Sequence, residues 1–189
     1  MKKQRTCNFS MESQLQYLFL SPSNNEEIAR IIRQNDYDID GFPWCWIEES
    51  SINLAYSRRN YDLVLLLLTM GANPNYNIQI KETPLSEKFN STMMTVFSNI
   101  TYQIMLSLLF NELCYMKAET IIDSMIQHGG CVYTGTPNVM DVIYVWIEAD
   151  NSCCSIIAHN ILHMIRTSLS TRNQYKQLRI TTSREYNLK

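Results

Sequence analysis

The chain lacks both the long hydrophobic runs of membrane proteins and the many tight turns of all-β folds. The apolar run from Leu63 to Leu68 has six residues, whereas a helix that spans a membrane needs roughly 20. Five glycines and five prolines in 189 residues argue against a fold rich in turns. The stretch "TCNFSMESQLQ", after the basic start, has no apolar signal segment. We therefore expect a soluble, cytoplasmic protein with no membrane span.

Common enzyme signatures are also missing. The sequence has no Gly-rich phosphate loop, no GxSxG and no HExxH. Its 46% hydrophobic and 11% aromatic content is sufficient for a packed core and too high for a disordered chain. The length fits one domain of about 100–200 residues. We predict a tail at 1–8, one helical domain at 9–168 and a basic, flexible tail at 169–189.

The charge of the chain is small overall but unevenly distributed. From Arg166 to Lys189 there are six basic residues and one acidic residue, or +5, so a net charge of −2 leaves −7 on residues 1–165. A near-neutral whole gives no general attraction to nucleic acid, and we do not expect a nucleic-acid partner. The basic tail could still contact phosphates or acidic lipid head groups, and a solvated terminus is the simpler interpretation.

The six cysteines are interpreted as free thiols, because the sequence shows no sign of secretion. Most of them are expected to be buried as small apolar side chains.

The stretch "NYDLVLLLLTMGANPNY" at 60–76 predicts a helix that ends in a tight loop. Leu63, Leu66, Leu67 and Met70 follow the i, i+3, i+4, i+7 spacing of one helix face. Gly71 suits the left-handed residue after a helix, and the Asn-Pro-Asn that follows cannot continue it. Just before it, "SSINLAYSRR" at 50–59 is also helical in pattern. We predict two antiparallel helices over 50–82, a turn near Arg59, and an extended finger around 72–82.

Spacing suggests that this unit repeats. Thr83-Pro84-Leu85 lies 33 residues after Ser50-Ser51-Ile52, and 33 is the ankyrin period, with a Thr-Pro-Leu-His-x-Ala opening. With "DLVLLLLTMGANPN" at 62–75, the chain resembles a divergent ankyrin-repeat protein, best matched over 50–82. The resemblance implies an all-α fold, namely a short, irregular stack of helix pairs.

Neighbouring stretches extend the resemblance. "EEIARIIRQNDYDID" at 26–40 resembles another outer helix, with Asn35 in the glycine place, and "TIIDSMIQHGGCV" at 120–132 resembles one with Gly129 there. Gly129 follows Gly71 by 58 residues, so we expect an insertion of 25, around 86–112. "TGTP" at 134–137 resembles the opening of a further repeat. Additional helices are expected at 9–20, 91–112 and 140–168.

The resemblance implies a protein-binding function, because ankyrin proteins bind partners with their finger tips and concave inner-helix surface. It places Tyr56 and Arg59 on the concave side. It also places Tyr76, Gln79 and Lys81 in the finger. Trp44 and Trp46, in "GFPWCWIEES", either cap the open end of the stack or bind a partner.

We therefore expect a protein–protein interaction module with no catalysis and no cofactor. Seventeen asparagines and twenty isoleucines suggest an AT-rich genome, and short degenerate ankyrin proteins of this kind resemble those that intracellular bacteria and large DNA viruses direct at their hosts. On that analogy the partner is a host signalling, ubiquitin or trafficking protein in the host cytoplasm.

Two alternatives stay open. The first is a small effector enzyme that modifies a host protein with Cys131 as nucleophile and His128 as base. The second is a zinc site on His159 and His163, which are spaced i, i+4, with Cys154. Cys154 falls about 140° away from His159 around a continuous helix, and two histidines on an exposed helix edge are the simpler interpretation.

Overall fold

The computed structural model describes residues 18–19, 24–35, 37–40, 50–79, 93–149 and 152–186. These residues form seven helices and two short strands, which confirms the expected all-α class. The helices are α1 Asn25–Gln34, α2 Ser51–Ser57, α3 Tyr61–Thr69, α4 Val96–Leu109, α5 Tyr115–Gln127, α6 Val139–Glu148 and α7 Ser152–Tyr186. The strands are β1 Asn77–Gln79 and β2 Met93–Thr95.

The helices pack in two rows. Helices α2, α4 and α6 form the front row, in which each helix contacts the next. Helices α1, α3, α5 and α7 form the back row, again with each in contact with the next. Because α2 packs against α3, α4 against α5 and α6 against α7, consecutive helices form pairs, and the pairs lie side by side. The short connection at 58–60 makes the first pair antiparallel.

Front-row helices begin with the same kind of cap. The side-chain oxygen of Ser50 accepts a hydrogen bond from the Asn53 amide at 3.2 Å. Thr95 caps α4 in the same way, through the Ser98 amide at 3.1 Å. At the third position a capping box joins Asn138 to Asp141. Each cap satisfies backbone N–H groups that a helix start leaves without a partner.

Back-row helices α3 and α5 also end alike. The predicted glycines, Gly71 and Gly129, have φ of 100° and 102°, a conformation that is costly for residues with a side chain. The amides of Ala72 and Gly130 then bond back to carbonyls five residues earlier, at 3.0 and 2.8 Å. After α1 the Tyr37 amide makes the same kind of bond, to the Ile32 carbonyl at 3.3 Å, whereas Asn35 is the C-cap of the helix, with φ of −107°. Asn35 is therefore not in the glycine place, and that prediction is wrong.

The loops that leave the back row are tied to one another by side chains. Asp40, after α1, accepts a hydrogen bond from the Asn73 amide at 2.7 Å. Asn75, after α3, donates to the Gly129 carbonyl at 3.0 Å and accepts from the Cys131 amide at 2.8 Å. Each loop thus fixes the position of the loop that follows the next back-row helix.

Residues 77–79 pair antiparallel with 93–95, Asn77 opposite Thr95. This pairing brings the Val96 amide to the Tyr76 carbonyl at 2.7 Å and so joins α4 to the preceding loop. The helix expected at 91–112 therefore begins only at Val96, because Thr95 serves as its cap.

Residues 93–112 are the described part of the insertion expected around 86–112, and they contain β2 and α4. Helix α4 is the front-row helix of the second pair. Helix α4 has 14 residues and α2 has 7. Seven additional residues are about two turns, which keeps the same face towards the core. The helix expected in this region is confirmed from Val96 to Leu109, and it contacts α2, α5 and α6.

The apolar face of α3 differs from the predicted one. Leu63, Val64, Leu67 and Leu68 are fully buried, whereas Leu66 and Met70 are only partly buried against the core. The run is apolar all round, so spacing alone could not choose between two overlapping faces.

The boundaries of the C-terminal helices also differ from the predicted ones. The helix expected at 140–168 is two helices, because the backbone of Ala149 is extended where α6 ends. Helix α7 has 35 residues, and the predicted start of the tail at 169 falls inside it. Of the helix expected at 9–20 only Leu18 and Phe19 are described, and both are buried.

Candidate functional site: a groove at the corner of the back row

The site begins at the turn that joins α2 to α3. Arg59 has φ of 59°, so an arginine occupies the left-handed position that usually favours glycine. Asn60 follows as the cap of α3, and its side-chain oxygen accepts from the Leu63 amide at 3.1 Å. The Asn60 amide group also donates to Asn25 at the start of α1, at 2.8 Å. These bonds hold the corner of α3 in a fixed position beside α1.

A groove of about 330 Å³ lies between the first turns of α3 and α5; we call it the corner groove. Apolar side chains of both helices line it, with polar and charged groups among them. Its residues are Arg59, Asn60, Tyr61, Asp62, Leu65, Met116, Lys117, Thr120 and Ile121. A concave surface that is partly apolar, with a few polar groups, is the usual form of a binding site.

Charged groups of both signs surround the corner groove. Arg59 pairs with Glu112 of the next corner at 3.0 Å, and the two side chains are 66% and 44% exposed. A pair this exposed contributes about 0–1 kcal/mol. The Lys117 ammonium lies 5.7 Å from the centroid of the Tyr61 ring, within cation–π range. The charges at the groove therefore remain accessible to a binding partner.

Large apolar side chains are exposed in the segment that leads into α5, and one of them, Met116, lines the groove. Phe110 is 67% exposed, Tyr115 42% and Met116 78%. They occupy the second corner and the first turn of α5, within seven consecutive positions. Exposed apolar residues that cluster in this way, unlike single ones, mark interaction surfaces.

Two tyrosines form the support of the groove. The rings of Tyr56 and Tyr61 lie 5.5 Å apart, tilted by 57°. Burial raises the pKa of Tyr56 well above its ordinary value, and Tyr61 adds to the rise, while the Ser107 side chain offsets it in part. Burial also raises the pKa of Tyr61, an effect that Arg59 opposes. Both hydroxyls are therefore neutral at physiological pH, and neither supplies a base.

The predicted partner-binding residues have separate outcomes. Tyr56 is only 4% exposed, so its prediction as a surface residue is wrong; its ring packs in the core. Arg59 lines the corner groove. Tyr76 is half-buried against the core, at the base of the expected finger. Gln79 lies in β1, with its side chain outside the described part. Trp44, Trp46 and Lys81 lie outside the described residues.

His128 and Cys131, the residues of the alternative enzyme, each take part in local hydrogen bonds at the end of α5. His128 closes the last turn of α5, where its Nδ1 lies 2.8 Å from the Ser124 carbonyl oxygen. Cys131 is half-buried, and its amide is bonded to Asn75. Both residues have a structural explanation as parts of a helix end and its loop.

The alternative zinc site does not assemble. The Nδ1 atom of His159 lies 2.8 Å from the Ser155 carbonyl oxygen of its own helix. Cys154 packs partly against the core, whereas His163 is exposed. In the part of the chain that the structure describes, no group of three or more His, Cys, Asp or Glu side chains is placed to hold a metal ion.

Sequence reasoning missed the α5 side of the groove. Phe110 fell at the end of the expected insertion, and Tyr115, Met116 and Lys117 preceded the expected outer helix. The signal was present in "FNELCYMK" at 110–117, where four consecutive apolar residues lie between Glu112 and Lys117.

Comparison with known proteins finds no matching protein family, no similar curated protein and no similar solved structure. None of the described helices combines the length and the hydropathy needed to cross a membrane.

Proposed function

We propose that this protein is a protein–protein interaction module that binds its partner in the corner groove. The observation that carries the proposal is the exposure of Met116 in the lining of a partly apolar groove, with Phe110 exposed six positions earlier in the chain. Exposing such side chains to water is unfavourable by about 25 cal/mol per Å² of apolar surface, and a bound protein would cover them. Methionine suits this position because its flexible side chain adapts to irregular partner surfaces.

We also propose that the two rows are a divergent ankyrin-like stack. Three features support this: helix pairs that lie side by side, glycines at the ends of α3 and α5, and loops joined by side chains across the stack. In such a stack the front-row helices correspond to inner helices and the back row to outer helices. The corner groove then lies on the outer row, away from the concave surface that the resemblance implied.

The proposed partner is a protein of a host cell. This part rests on composition and on the resemblance, which suggest an intracellular bacterium or a large DNA virus and a host signalling, ubiquitin or trafficking component. The residues that line the groove include no histidine, cysteine or serine, and such a lining suits an adaptor or effector that acts by binding its partner.

Affinity capture with matched variants tests the proposal. Met116→Asp places a charge in the groove at a position where an acid is compatible with a helix start, so the fold should be kept. Ile156→Asp is the control, because Ile156 is also exposed (59%) and close to a helix start, but on α7. Proteins captured from host lysate by the wild type and by Ile156→Asp should be lost with Met116→Asp. Equal capture by all three would contradict the proposal.

A further inference from the structure

The corner groove offers a projection as well as a cleft. Met116 is 78% exposed, and it also lines the groove, across from Tyr61 and Leu65 of α3. A projecting apolar side chain beside a partly apolar cleft is a geometry in which a surface can fit a copy of itself. In a two-fold contact each Met116 would enter the cleft of the other copy.

The charges of the groove are also compatible with a second copy as the partner. Asp62 lies on the α3 wall and Lys117 on the α5 wall. Around them, Arg59 and Glu112 already form an ion pair, so the four groups have no net charge. A partner surface of a single sign would match one wall and be repelled by the other.

A second copy in a two-fold arrangement matches both walls at once. Because residue i then faces residue j while j faces i, Asp62 of each copy can face Lys117 of the other. Neither of these two groups has a carboxylate–cation pair within the described residues. Lys117 is held only over the Tyr61 ring, at 5.7 Å, from which it can turn to a carboxylate.

We infer that the corner groove binds the corner groove of a second copy of this chain and forms a two-fold dimer. The inference rests on the proposed function, since it takes the groove to be a protein-binding surface. The second copy and a host protein then compete for the same groove, so the host protein binds the monomer. Met116 is the apolar anchor, and the Asp62–Lys117 pairs set the orientation of the two copies.

Charge reversal tests the inference. Asp62→Lys alone places two cations opposite each other in the dimer, and Lys117→Glu alone places two anions there. A one-to-one mixture of the two variants, or the two changes in one chain, restores opposite charges on both sides. Sedimentation equilibrium of the full chain should give a dimer for the wild type, monomers for each single variant, and dimers again for the mixture and for the double variant.

An apolar variant adds a second test. Met116→Asp should raise the dimer dissociation constant by at least about 30-fold, the effect of removing a central anchor. Ile156→Asp should leave the constant unchanged. Thermal melting of every variant shows whether the monomers are folded.

Two results would overturn the inference. One is a wild-type chain that stays monomeric at about 100 µM, well above the dissociation constant of a micromolar dimer. The other is a dimer that persists in Met116→Asp and in both single charge variants. A monomeric wild type whose binding to another protein is lost in Met116→Asp would reject self-association and leave the proposed function intact. If Met116→Asp weakens neither the dimer nor the binding of another protein, both the self-association and the proposed function are rejected.

Discussion

Asn75 provides a direct test of how the helix pairs are joined. Its side chain donates to the Gly129 carbonyl at 3.0 Å and accepts from the Cys131 amide at 2.8 Å and from the Thr134 hydroxyl at 3.3 Å. These bonds link the loop after α3 to the loop after α5. Asn75→Ala should remove all three and leave backbone groups of the second loop without a protein partner.

The magnitude follows from the exposure of the loop. An unsatisfied buried backbone group costs about 1–3 kcal/mol. Gly129 and Cys131 are only half-buried, so water can replace part of what is lost. We expect Asn75→Ala to lower the free energy of unfolding by about 1–2 kcal/mol. In urea denaturation this appears as a lower midpoint with an unchanged slope.

Two further variants make the Asn75 test specific. In Asn73→Ala only a local bond is lost, because the Asn73 side chain accepts from the Asn75 amide within its own turn, at 2.9 Å. Asn75→Asp keeps an acceptor for the Cys131 amide. Hydrogen exchange of that amide should therefore be fast in Asn75→Ala and remain slow in Asn75→Asp and Asn73→Ala. If Asn75→Ala costs no more than Asn73→Ala and leaves this exchange unchanged, the loops are not coupled through Asn75.

Three other predictions concern stability. Leu67→Ala should lower the free energy of unfolding by roughly 2–5 kcal/mol and Leu66→Ala by less than about 2 kcal/mol; equal losses in chemical denaturation would contradict the observed face of α3. Arg59→Gly should raise the free energy of unfolding by up to about 1 kcal/mol, because it removes the strain of a left-handed arginine. Asn111→Gly should raise it less, since Asn111 has φ of 57° and asparagine tolerates this conformation. Thermal melts in which both variants gain the same stability would refute this prediction. Burial raises the pKa of Tyr56, so the Tyr56 hydroxyl stays protonated in the folded chain at a pH where it ionises in the unfolded chain, above about 10. Stability should therefore fall as pH rises above that value, and fall less steeply in Tyr56→Phe; identical slopes would show that Tyr56 is accessible in the folded state.

The parts of the fold that the sequence predicted are those with strong local causes. The helix at 60–70 and its end at Gly71 follow from an apolar run and a left-handed glycine. The end of α5 at Gly129 follows from the same combination. Each of these signals lies within a few residues, so one sequence is sufficient to read it.

The errors arose where the outcome depends on distant neighbours. Tyr56 was expected on the surface, but α4 packs against α2 and the ring is buried. The role of α4 depends on which residue begins the second pair: the repeat spacing indicated Thr83-Pro84-Leu85, whereas the residue that caps α4 is Thr95. The corner groove needs α3 and α5 to lie side by side, and their groove-lining residues are more than fifty positions apart. Nothing within either segment specifies that neighbour.

The central claim is that the corner groove is the protein-binding surface, and site-specific photo-crosslinking tests it most directly. A photo-reactive amino acid would replace Met116 in one variant and Ile156 in another, and each variant would be irradiated in the cells that produce it. The account predicts a protein adduct from position 116 and none from position 156, with an adduct of twice the chain mass if the partner is a second copy. No adduct from position 116, or adducts of equal yield from both positions, would contradict it.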